Sequence, residues 1–212
     1  MSIPDKYDLY IFDLDGTLVN SLPCWLEIYQ AVFKELGVYP SETEIIDVAF
    51  YNHDRLHELV PIEYNDFLKI VLRHKSNLHT KLKSFPGAQT VLKGISQKGK
   101  NIALCTSSYR KAVDDILLHT DLRNCHFNLV VTGDSIERQK PYPDGVNEIR
   151  DVLKVSPAKT LYIGDSYTDF ETARNAGVDF LWMNILSNKP YILETQYQQL
   201  LKGSKYQMTS YT

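Results

Sequence analysis

Cysteine is scarce: the 212 residues hold three, at 24, 105 and 125. An odd, scattered set without CxxC spacing excludes a disulfide framework and a zinc site, and a cytoplasmic location is expected. Long apolar runs are missing too, since "LYIF" is broken by Asp13, so neither a signal peptide nor a membrane span is expected. No block of Lys and Arg interrupts a net charge of −3, which leaves nucleic acid and anionic membranes without an electrostatic handle. No internal repeat or low-complexity stretch occurs. Small molecules are the expected partners, and nothing in the sequence marks an oligomeric state.

What the chain does have is 43% hydrophobic residues, enough over this length to bury a substantial core. Tyr7 to Phe12, "NIALCT", "FNLVVTG", "TLYIGD" and "DFLWM" read as strands buried on both faces. Between them Val91, Leu92 and Ile95 recur at helical spacing before Gly99, as do Ala112, Val113, Ile116 and Leu117, then Val146, Ile149, Val152 and Leu153. This alternation predicts an α/β fold with a parallel sheet.

Residues 20–84 read as helices only. Ser21 is placed to cap a helix that carries Trp25, Ile28, Val32 and Leu36 on one face and ends at Gly37. "SFPGA", residues 84–88, supplies turn chemistry where the β/α pattern resumes, so the helical block is inserted after the first strand. The expected division is a core of residues 1–19 and 85–212 and a helical unit of residues 20–84. An amphipathic helix is expected from Asn188 to about Leu201, then a polar tail, mobile from about residue 203.

In open parallel sheets ligands bind beyond the carboxyl ends of the strands. Four such ends carry chemistry: Asp13 and Asp15; Thr106 and Ser107; Lys140 in "QKPYPDG"; Asp165 and Asp169 in "GDSYTD". Read alone, Asp15-Gly16 is ordinary turn chemistry. Four carboxylates at one edge are unfavourable unless a cation neutralises them, and oxygen ligands of this kind select a hard one such as Mg²⁺, with a substrate phosphate as natural complement. The hydroxyls of Thr106 and Ser107 and the start of the following helix suit phosphate oxygens. Asp165 also suits a helix cap, and Asp169 a helix dipole without metal contact.

In order and spacing, "FDLDGTLVNS", "LCTSS", "KPYPD" and "GDSYTDFETARNAG" resemble the four motifs of the haloacid dehalogenase superfamily, and residues 20–84 are similar to the helical cap of its phosphoglycolate phosphatase and β-phosphoglucomutase branch. The resemblance implies a Rossmann-like, three-layer parallel-sheet core with an inserted α-helical cap. It also implies a Mg²⁺-dependent phosphatase acting on a small phosphorylated metabolite, a sugar phosphate or phosphoglycolate, through an aspartyl phosphate. By that resemblance Asp13 is the nucleophile and Asp15 the general acid and base, its carbonyl also on the metal. Thr106 binds the transferring phosphoryl group, Ser107 is a further substrate-binding residue, Lys140 balances charge, Asp165 joins Asp13 at Mg²⁺, and Asp169 supports the metal directly or through water. Dehalogenases of the superfamily lack the second aspartate, so Asp15 speaks for phosphoryl chemistry.

Substrate choice is expected in the cap stretch "FYNHDRLHE", where Tyr51, Asn52, His53 and Arg55 suit the organic part of an ester and Arg55 a second anionic group. His53 and His57 stand at i, i+4, a metal-gripping spacing, but without further ligands they read as a solvated helix face. Tyr109 and Arg110 are further substrate neighbours or a solvated first turn. The alternatives are a phosphosugar mutase of the same fold, separated by whether inorganic phosphate is released, and a non-catalytic phosphoacceptor or binding protein. Receiver domains combine similar residues, but end soon after their lysine and carry no inserted helical block.

Overall fold

Apolar runs that do not alternate need cover on both faces, and here helices provide it. The computed structural model describes residues 5–51, 55–74, 82–183 and 208–209. The chain divides into two units, Met1–Asn20 with Lys83–Thr212, and Ser21–Leu82. The helical unit is thus shorter than the expected block by one residue at its start and two at its end. Among the described residues no helix is long and apolar enough to cross a membrane.

The first unit opens with β1 (Leu9–Phe12). The helical unit follows: α1 (Leu22–Glu35), α2 (Glu42–Ile46) running into a wide π turn at Asp47–Tyr51, α3 (Leu56–Leu59) and α4 (Tyr64–His74). Ser41 and Glu44 close a capping box on α2, each side chain taking the other's backbone N–H. The buried face of α1 is Cys24, Ile28, Tyr29, Val32 and Phe33; Trp25 and Leu36, expected on it, are only half-buried. Phe67 of α4 packs its ring against Tyr29 and Phe33, with centroids 6.1 and 5.2 Å away. Ser21 occupies the N-cap of α1 without a side-chain bond, because its backbone is already helical (ψ −18°) rather than extended. At the other end Gly37 turns left-handed (φ +77°), and Val38 N–H returns to the Phe33 carbonyl.

Returning to the first unit, the chain forms α5 (Ala88–Gln97), β2 (Asn101–Cys105), α6 (Arg110–His119), β3 (Leu129–Val131), α7 (Asp144–Leu153), β4 (Thr160–Gly164), α8 (Tyr167–Ala176) and β5 (Asp179–Met183). The sheet has the order β3-β2-β1-β4-β5, all neighbours parallel, and β6 (Met208–Thr209) pairs with the outer side of β5. Those two residues of the tail are therefore paired rather than mobile; the helix expected from Asn188 lies outside the described residues.

Strand side chains alternate between faces. Leu9, Ile11, Ala103, Cys105 and Tyr162 share one face with Val146 and Ile149 of α7 and Ala173 of α8. Val152, expected on the buried stripe of α7, is 58% exposed. The stripe needs only Val146 and Ile149 on successive turns, and position 152 has rotated past it at the helix end. Chain order reverses around β1, which lies between β2 and β4 with Phe12 level with Leu104 and Ile163. That reversal opens a crevice at the carboxyl ends of these three strands.

Candidate active site

Asp13 is the first residue past β1, and its N–H still donates to the Ile163 carbonyl of β4 (2.9 Å). By alternation its side chain follows Ile11 onto the face of α7 and α8. There Lys140 Nζ bridges Asp13 Oδ1 at 2.7 Å and Asp169 Oδ1 at 2.6 Å, the three side chains being 7% exposed or less. The loop that carries Lys140 is tied down by Tyr142 N–H donating to the Gln139 carbonyl and by Asn175 Nδ2 of α8 donating to the Pro141 carbonyl.

Asp169 sits in the first turn of α8 and accepts four hydrogen bonds. Lys140 and the Tyr162 hydroxyl (3.0 Å) reach Oδ1, while the backbone N–H and hydroxyl of Ser166 reach Oδ2 at 3.0 and 2.6 Å. Ser166, not Asp165, is the N-cap of α8, and Ser166 with Asp169 forms its capping box. Asp165 instead accepts from the Thr17 hydroxyl at 3.0 Å. Carboxylate oxygens of Asp13, Asp165 and Asp169 lie within 4.8 Å of one another. One lysine among three carboxylates gives these four side chains a net charge of −2 when all are ionised. The cluster is thus fit to hold a divalent metal ion, and its all-oxygen donors select a hard one.

The charges divide unequally. Burial pushes the Asp13 carboxyl well above its ordinary range; Lys140 pulls it down and the Asp169 and Asp165 charges push it further up. Burial would raise Asp169 as well, but the Lys140 charge and the bonds from Lys140 and Ser166 hold it below its ordinary value. Lys140 is opposed by burial, yet its two carboxylate partners raise it above the usual lysine range, so it stays charged. Cys105 stands nearby, but burial lifts its thiol to about 12, which removes it as a competing nucleophile.

Asp15 occupies the corner of a tight turn in which the Leu14 carbonyl accepts the N–H groups of Leu18 and Val19 (2.9 and 3.0 Å) and Gly16 N–H donates to the Val19 carbonyl (2.9 Å). Its Oδ2 accepts from the Ser108 hydroxyl at 2.7 Å. Thr106, buried at the end of β2, accepts the Ser108 N–H on its hydroxyl oxygen at 3.1 Å, a bond that uses a lone pair and leaves the O–H to donate. Ser107 is exposed. At the start of α6 the Asp134 carboxylate accepts the Arg110 N–H at 2.9 Å.

Arg55 pairs with Asp47 and Glu58 at 2.6 and 2.7 Å inside the helical unit. Asn52 and His53 lie outside the described residues. Sequence reasoning missed Thr17, Ser108, Tyr162 and Ser166. Only Ser166 left a readable mark, the Ser-x-x-Asp spacing of a capping box.

Gly16 is where backbone and site meet. Its φ is +82°, and a Cβ there would lie 2.4 Å from Asp165 Oδ2 with the rest of that carboxylate inside 3.0 Å. Gly16→Ala is expected to lower unfolding stability by about 1–3 kcal/mol, read in urea. By displacing Asp165 it should also weaken divalent-metal affinity about tenfold or more, measured by calorimetry.

An α/β protein with a lysine-bridged carboxylate centre at the reversal point of its sheet is the class that fold and site define. Residues 10–183 match the haloacid dehalogenase-like hydrolase family, and the chain belongs to it. Among curated relatives, phosphoglycolate phosphatase of Rhodobacter capsulatus is 32% identical over 183 residues, 81% of each chain. A phosphorylated carbohydrates phosphatase of Thermotoga maritima is 27% identical over 201 residues, covering 91% of this chain and 93% of its own. CbbY from Rhodobacter sphaeroides, solved with phosphate, superposes with a TM-score of 0.77 at 18% identity over 97% of this chain and 95% of that one. A Deinococcus radiodurans hydrolase of the family, solved with phosphate and sodium, gives 0.76 at 23% identity over 98% and 93%. At these identities the two structures speak for the fold.

Proposed function

We infer that the chain is a Mg²⁺-dependent phosphatase that hydrolyses small phosphate monoesters, such as phosphoglycolate or a sugar phosphate, through an aspartyl phosphate on Asp13. The observation that carries this is the Lys140 bridge between Asp13 and Asp169 with Asp165 in reach, three carboxylates gathered around one lysine. The relatives' phosphatase names support the substrate class. Asp13, Asp165 and the Asp15 carbonyl would hold Mg²⁺. Asp169, its oxygens already accepting four donors, serves mainly to orient Lys140. Bound Mg²⁺ supplies charge neutralisation and polarises a phosphoryl oxygen.

In the first step an Asp13 oxygen bonds to phosphorus while the bond to the ester oxygen breaks, and Asp15 gives its proton to the departing alkoxide. In the second, Asp15 takes a proton from water as the water oxygen bonds to phosphorus and the Asp13 bond breaks, releasing phosphate and restoring both carboxyl groups. Lys140 and the Thr106 hydroxyl offset charge on the phosphoryl oxygens through both steps. The helical unit, as a cap selecting the ester, belongs to the same proposal. So does a cytoplasmic setting, which suits cysteines that form no disulfide.

A panel of phosphorylated metabolites assayed for inorganic phosphate is the test. Sugar phosphates and phosphoglycolate should be hydrolysed, with the rate falling at least about a hundredfold under excess EDTA. Isomerised sugar phosphate without phosphate release would indicate a mutase. No turnover across the panel would count against catalysis.

A further inference from the structure

The acid and base that this reading assigns to Asp15 must serve twice, so its carboxyl group has to be held where both the ester oxygen and the attacking water arrive. The turn from Leu14 to Val19 fixes the Asp15 backbone but leaves two side-chain torsions open. The 2.7 Å bond from the Ser108 hydroxyl constrains both torsions.

Ser108 is itself rigidly mounted. Its N–H donates to Thr106 Oγ1 at 3.1 Å, and its carbonyl accepts the Gly133 N–H at 3.0 Å. Two residues on, Arg110 N–H donates to Asp134, whose carboxylate also accepts the Thr132 hydroxyl at 2.7 Å. The turns after β2 and β3 therefore lock together, so closely that a Cβ on Gly133 would sit 2.3 Å from the Ser107 carbonyl oxygen. Since β1 and β2 are paired neighbours, this locked turn forms a fixed post beside Asp15.

We propose that Ser108 is a positioning residue for Asp15, its hydroxyl fixing the carboxyl group that transfers the proton to and from the reacting oxygens. The proposal rests on the phosphatase reading above. A serine hydroxyl has one proton to donate, and here it goes to Asp15, so the side chain acts through the acid instead of gripping the phosphoryl group. A displacement of about 1 Å in such a group costs on the order of a hundredfold in rate.

Proton transfer to the leaving group matters when that group is a poor one. Ser108→Ala, Ser108→Thr and the unaltered chain are compared on two alkyl esters, phosphoglycolate and glucose 6-phosphate, and on p-nitrophenyl phosphate, whose leaving phenolate needs little protonation. The readout is kcat/KM, which covers the steps up to departure of the leaving group and is blind to the second half-reaction. Ser108→Ala should lower it about 10- to 100-fold on the alkyl ester that is hydrolysed and less than about threefold on p-nitrophenyl phosphate. Ser108→Thr, which keeps the hydroxyl, should recover most of the loss, and all three proteins should share one thermal midpoint. Equal losses on both kinds of ester, a loss confined to KM, or no loss at all overturns the assignment. Failure of the unaltered chain on all three esters instead defeats the phosphatase reading itself, and the positioning role with it.

Discussion

Asp13→Asn should reduce phosphate release by about four to six orders of magnitude while the chain folds as before. The carboxamide has the shape of the carboxylate but no oxygen able to attack phosphorus and then leave it. Its carbonyl oxygen can still accept the Lys140 bond that Asp13 Oδ1 accepts at 2.7 Å, so the lysine keeps its place between positions 13 and 169. Burial and the Asp169 and Asp165 charges already disfavour the ionised form of Asp13, so a neutral side chain there removes repulsion. Its effect on unfolding stability should stay within about 1 kcal/mol. Acid-quenched intact mass spectrometry during turnover should find a phosphorylated species in the unaltered protein and none in the variant. Undiminished turnover by the variant would remove Asp13 from the chemistry altogether.

How far such a centre can be read from sequence depends on what fixes each residue. Asp13 and Asp165 each follow a strand and Asp169 opens a helix, and a parallel sheet brings such positions to one edge whatever the details of its turns, whereas Lys140 reaches them from the loop between β3 and α7. The runs at 9–12, 101–105 and 160–164 lack alternation because both faces are covered, which made the sheet readable as well. Gly37 and Gly177 both take the left-handed conformation that ends a helix, a local requirement with a local mark.

Ser108 and Ser107 are another matter. Two adjacent serines have the same chemistry, and only the interlock of two turns decides that 108 meets Asp15 while 107 faces solvent. The Asp134 bond to the Arg110 N–H spans two crossovers of the sheet and leaves no mark in either segment. Tyr162 looks like any strand residue until its hydroxyl is found between the Cys105 carbonyl and Asp169, at 3.1 and 3.0 Å. Contacts made by alternation and register were legible; those made by the path of a turn were not.

Lys140→Met tests the charge balance itself. The substitution keeps the length of the stem but leaves Asp13 and Asp169 buried without the cation they share. Breaking a buried pair from one side costs about 3–5 kcal/mol, and losing the charge that offsets the phosphoryl oxygens should lower kcat about a thousandfold or more. The stability deficit should also depend on pH. In the unaltered protein the depressed Asp169 contributes stability that is present above its unfolded value near 3.9 and lost as pH falls through its lower folded value. The raised Lys140 contributes stability that is present below its unfolded value near 10.4 and lost as pH climbs through its higher folded value. Asp13, raised by burial, works the other way and favours the folded state most when protonated. Between about pH 4 and pH 10 both favourable contributions are intact. Without the lysine both buried carboxylates are raised, so as pH falls towards about 4 the variant gains more stability than the unaltered protein gains from Asp13 alone, and below about 4 the unaltered protein begins to lose the Asp169 contribution. Urea unfolding without added metal from pH 3.5 to 8 should therefore find the two proteins furthest apart near neutrality and converging as pH falls through about 4. A deficit that stays constant across that range would mean that Lys140 contributes packing alone and that the two aspartates do not depend on its charge.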